Sequence, residues 1–123
     1  MLEAKSVPRP GEGFWLWLIK LATGVLIIVL LLVHFIVNHL AQGGLLTYAG
    51  VIAYYANPAI VAMEIVFLAV VVSHTLIGLR GILLDLNPSP KIMGIVDWLL
   101  VLVGIGAVVY GISLALVVAS RSV

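Results

Sequence analysis

The stretch "PAIVAMEIVFLAVVVSHTLIGLRGILL", Pro58 to Leu84, decides the class of fold. It is far longer than the roughly 20 apolar residues a membrane-crossing helix needs. Yet it carries Glu64, His74 and Arg80, and Asp85 follows at its end. Pro58 suits the first turn of a helix after Asn57. "NPSP", Asn87 to Pro90, stops it, because Pro88 and Pro90 cannot continue a helix.

Two similar runs flank it, at about 14–40 and about 97–119. In the first, Lys20 can snorkel to the near interface. That run is too long for the apolar region of a cleaved signal peptide, and no small-x-small site follows it, so it is expected to be retained. The chain has 123 residues, 64% hydrophobic and 9% charged, where a soluble domain would carry about a quarter charged. Its net charge of +1 argues against nucleic acid as a partner. The absence of cysteine removes disulfides, thiolate-held metals and thiol nucleophiles. Residues 1–123 therefore read as one all-α integral membrane domain of three transmembrane helices in the lipid bilayer.

Charge sets the expected direction. Lys5, Arg9 and Lys20 precede or open the first run, Arg80 and Lys91 surround the second loop, and Arg121 stands alone at the end. The first loop, "AQGGLLTYAGVIAYYANP", has no charge. By the excess of positive charge on cytoplasmic segments, the N-terminus is cytoplasmic and the C-terminus outside. Trp15, Trp17 and Trp98 then fall at the inner interface, and Tyr48, Tyr54 and Tyr55 at the outer one.

Polar residues inside such helices point to function. At 100° per residue, His74, Gly78, Gly81 and Asp85 share one face of the second helix, a metal-capable imidazole beside two residues without side chains. A flat ligand could approach there, and haem b is the natural candidate, since its iron takes axial histidine. Arg80 points about a third of a turn away, within reach of a haem propionate or a neighbouring subunit. The competing reading is close helix packing on the glycines and a hydrogen-bonded histidine.

In "VHFIVNH" of the first helix, His34 and Asn38 share a face, whereas His39 points roughly 140° from His34. The two cannot ligate one metal from a regular helix. His34, inside the apolar run, is the better ligand, with His39 the alternative at the outer interface. By helical rise, His34 lies about 10 Å outward of mid-membrane and His74 about 5 Å inward. They cannot be the two axial ligands of one iron; if both bind haem, each needs a second histidine from another chain, and there would be two haems.

Two stretches resemble the hydrophobic membrane anchor subunits of succinate dehydrogenase (succinate:quinone oxidoreductase, respiratory complex II). "TGVLIIVLLLVHFIVN", Thr23 to Asn38, resembles that family's first-helix pattern, and "SHTLIGLRGILLDL", Ser73 to Leu86, resembles its second-helix pattern of His, Gly and Arg before an acidic residue. The resemblance implies a second membrane anchor subunit, packed with this one into a larger haem-binding bundle. It also implies an iron–sulfur subunit and a flavoprotein subunit docked on the inner face, and a membrane quinone as electron acceptor. It implies that His74 ligates the haem nearer the iron–sulfur subunit and His34 the distal one, each haem shared with a partner subunit, with Asp85 and Arg80 close to the quinone. The implied location is the cytoplasmic membrane of a bacterium or archaeon. The chain departs from the pattern at Leu21, where many relatives have arginine, and at Leu86, where tyrosine is frequent. Two other functions are weighed against this one. The first is a haem-free structural anchor, and the second is a small transporter component with His34, Glu64 and His74 as a proton relay, Glu64 being otherwise an interfacial carboxylate.

Overall fold

The computed structural model describes residues 13–41, 43 and 47–122. Lys5 and Arg9 lie outside the described residues. The described residues form four α-helices: α1 (Phe14–Phe35), α2 (Tyr48–Tyr55), α3 (Pro58–Asp85) and α4 (Pro90–Ser120). The described residues form three helices long and apolar enough to cross a membrane, Phe14–Leu40, Pro58–Asp85 and Pro90–Ser120.

Asn57 caps α3 by accepting from the Ala59 amide at 2.9 Å, and Pro58 occupies the first turn. At the other end Leu86 caps the helix and Asn87 adopts a left-handed conformation, φ 56°. Asparagine tolerates that conformation better than most residues, so it closes the helix and turns the chain. The next helix starts at Pro90, not at Asp97 as the sequence suggests. Ser89 accepts from the Ile92 amide at 3.4 Å, and Pro90 sits in the first turn. The proline read as a stop for α3 is equally a start for α4, since its fixed φ and missing N–H suit that position.

The first span is α-helical only to Phe35 and then widens into a π-helical turn, Ile36–Ala41. Where it widens, the Asn38 side-chain amide donates to the His34 carbonyl at 2.9 Å. A side chain is thus bonded to a carbonyl that the regular backbone ladder would use. The first loop also holds more structure than expected. Thr47 accepts from the Gly50 amide at 3.0 Å and starts α2. Tyr54 in α2, expected in an outer aromatic belt, is instead 2% exposed, while Tyr48 is 70% exposed.

Pairing across the helices fixes their directions. On α1 and α3, Thr23 meets His74 and His34 meets Glu64, so later residues of one face earlier residues of the other. On α3 and α4, Arg80 meets Asp97, and the Gly104 and Gly111 positions back onto Leu76 and Leu68. Both pairs are antiparallel. α3 packs against α1 on one side and α4 on the other, α2 lies against α3 and α4, and α1 does not contact α4 among the described residues. The result is a layer one helix thick. Only Asn38, Tyr54, Met93 and Ala115 are buried among the described residues.

Candidate functional site

The polar residues of the two apolar helices collect along the α1–α3 seam in two places. His74 Nδ1 lies 2.9 Å from the Thr23 hydroxyl, which also contacts the Ile19 carbonyl at 2.6 Å and the Lys20 carbonyl at 3.2 Å. Gly24 is what allows the imidazole this close. A Cβ there would sit 3.2 Å from His74 Cε1. Gly78, one turn further along α3 on the same face, has nothing within 4 Å of where a Cβ would be. Gly81 borders a small cleft with Leu16, Lys20 and Leu84. The two glycines of the stripe thus differ in surroundings, and a side chain at Gly78 would start in open space among the described residues. At Gly24, Gly104 and Gly111, by contrast, Cβ atoms would lie 3.2, 2.6 and 2.3 Å from side chains of α3, His74, Leu76 and Leu68 respectively.

The second group gathers His34, Asn38, Tyr54 and Glu64. His34 Nδ1 lies 2.9 Å from Glu64 Oε1, and their side chains are 33% and 12% exposed. The Tyr54 hydroxyl donates to the same carboxylate oxygen. Asn38 Nδ2 lies 2.9 Å from the His34 carbonyl, 3.2 Å from the Tyr54 hydroxyl and 3.2 Å from His34 Nδ1. Phe67 stacks on His34 at a centroid distance of 5.1 Å. His39 stays out of this group: it is exposed, with its ring 4.9 Å from that of Phe35. Burial first, and then the hydrogen bond and charge of Glu64, raise the Tyr54 phenol above its ordinary value. Tyr55 is raised as well, by burial and then by Glu64.

Thr23 and His34 are eleven residues apart, and Glu64 and His74 ten. The two groups are thus about 15 Å apart along the helices. In both, the imidazole is held by Nδ1. Among the described residues neither Nε2 has a hydrogen-bond partner, and neither is fully buried, since no buried side-chain nitrogen or oxygen there lacks a partner. A histidine anchored at one ring nitrogen with the other open is the donor arrangement of an axial metal ligand. No three metal-ligating side chains converge among the described residues.

Arg80 has a partner within the chain. Its Nε lies 2.6 Å from Asp97 Oδ1 and its Nη2 3.1 Å from Oδ2, a fork that ties α3 to α4. The partner sought in a propionate or a docked subunit is, for these two nitrogens, a carboxylate of the same chain. Asp85 ends α3 and is exposed. Thr23, Tyr54 and Asp97 were not singled out as site residues from sequence. Of these Thr23 had a signal, because eleven residues at 100° place it on the same face of α1 as His34.

Residues 2–119 match the family model described as the succinate dehydrogenase/fumarate reductase transmembrane subunit. The chain belongs to that family. It is 38% identical over 114 residues, 93% of this chain and 94% of the relative, to an Archaeoglobus fulgidus protein named the succinate dehydrogenase hydrophobic membrane anchor subunit. It is 30% identical over 97 residues to the succinate dehydrogenase 2 membrane subunit SdhC of Mycobacterium tuberculosis, covering 78% of this chain and 71% of that one. No solved structure matches it. The three apolar helices are therefore those of an integral membrane anchor subunit of succinate dehydrogenase, a role that implies association with the other subunits of the complex.

Proposed function

We propose that this anchor subunit binds haem b through His74 and, at a second site, His34, and that it helps electrons from succinate oxidation reach a membrane quinone. The observation that carries the reading is the His74 site: Nδ1 held by Thr23, Nε2 open, and a bare helix surface at Gly78 one turn away. The donor chemistry and the space both suit a flat, iron-centred ligand. Each histidine would be one of two axial ligands, the second coming from another membrane anchor subunit. Bound there, haem supplies a one-electron relay between the iron–sulfur subunit and the quinone. This chain's own part is to present Nε2, hold the ring orientation and keep the approach clear of side chains.

The flavoprotein and iron–sulfur subunits dock, in this reading, at the end carrying the start of α1, Asp85 and the α3–α4 turn, which faces the cytoplasm of a bacterium or archaeon. Asp85, with the cleft at Lys20 and Gly81 beside it, is the part of the chain nearest the quinone. Reduced-minus-oxidised spectra of the purified complex test the assignment. His74→Ala should remove one b-type haem contribution, and an unchanged spectrum would overturn it.

A further inference from the structure

We infer that Glu64 and Thr23 are positioning residues that give the two histidines unequal donor strength, Glu64 making His34 the more strongly donating ligand. The proposal rests on the haem reading above and concerns groups on this chain only.

Hydrogen-bond accounting leads to it. The Thr23 hydroxyl has a single proton, and the Ile19 carbonyl, an acceptor only, lies 2.6 Å away. With its proton donated there, the hydroxyl accepts from His74, so Nδ1 carries the hydrogen and Nε2 the lone pair. The same count works in the other group. Asn38 Nδ2 has two protons and two oxygen acceptors, the His34 carbonyl and the Tyr54 hydroxyl. Tyr54 donates its own hydroxyl hydrogen bond to Glu64. The close approach of His34 Nδ1 to Glu64 Oε1, 2.9 Å, is then an N–H donated to a carboxylate, and again Nε2 keeps the lone pair.

Both rings thus keep the lone pair on Nε2, but their partners differ in kind. A hydroxyl is a neutral acceptor already committed elsewhere. A carboxylate draws on the Nδ1 proton more strongly, which enriches the ring and raises its basicity as a ligand. Such a ligand favours the oxidised over the reduced iron. Asn38, which lies in the π-helical turn, and Tyr54 both bond to this pair.

Redox titration of the haem bands in the purified complex tests this. His34→Ala should remove one of two redox steps and so identify the step belonging to His34. Glu64→Gln keeps the shape but weakens the acceptor. It should move that same step to higher potential by about ten-fold in the oxidised-to-reduced ratio, about 59 mV for one electron, and leave the other step in place. Glu64→Asp should recover part of the shift. Tyr54→Phe removes the competing donor to Oε1 and should move the step the opposite way, which a purely structural role would not do. Thr23→Val should lower occupancy at the His74 step without touching that of His34. Unchanged potentials in Glu64→Gln, with His34→Ala still removing a step, would overturn the proposal while leaving the haem reading intact. A full haem complement in His34→Ala would overturn the haem reading at that site and the proposal with it.

Discussion

Gly24 and Gly78 lie on either side of the question of what His74 does. A methyl group at Gly24 would press on the imidazole at 3.2 Å, whereas one at Gly78 meets nothing in this chain. Gly78→Ala should therefore leave insertion and thermal stability of the chain alone unchanged, and in the purified complex it should lower haem content. The pyridine haemochrome assay on the assembled complex reads this, and unchanged haem would mean that nothing flat lies over Gly78. Tyr54→Phe leaves two polar partners short of one hydroxyl and should cost about 1 kcal/mol, measured by thermal unfolding of the complex. Because the Tyr54 and Tyr55 phenols are raised above their ordinary value of 10.0, the stability they contribute is whole below that pH and is lost as pH rises beyond it. Alkaline titration followed by tyrosinate absorbance should show late-ionising phenols that revert to ordinary behaviour on detergent denaturation. The candidate ligands were legible in sequence because charge and imidazole are conspicuous inside apolar runs. Thr23 was not, since a threonine in a membrane helix ordinarily bonds back to its own carbonyls, as this one also does.

At the scale of elements, α4 illustrates how a glycine-bearing helix with no motif can still be specified. Gly104 and Gly111 are seven residues apart, two turns, and both accept leucine side chains of α3. Gly111→Val, whose Cβ would start 2.3 Å from Leu68 Cδ2, should push α4 away from α3. The loss should appear as earlier thermal dissociation of the complex and faster proteolysis of the α3–α4 turn. The three apolar spans could be read from sequence because length and composition suffice for that. The early start of α4 and the existence of α2 could not, because each depends on a cap. Thr47 and Ser89 are ordinary loop residues until their hydroxyls meet Gly50 and Ile92. Nor could the π-turn be read, since a regular period of 100° assumes the turn it replaces.

The described residues form a strip rather than a bundle, with α3 in the middle and almost every side chain at least partly exposed in the isolated chain. Expressed with its partner subunits it should run as one species in mild detergent. Expressed alone it should form mixed aggregates on size-exclusion chromatography, because many large apolar side chains are exposed in the isolated chain. A strip one helix thick has another property. Among the described residues it surrounds no lumen, and its two polar groups are separated by about 15 Å of helix. The described part of the chain thus lays out no continuous polar path between those two groups. Liposomes carrying only this chain should hold a pH gradient as long as empty ones, so any permeability of the assembled complex would have to arise where this strip meets its neighbours.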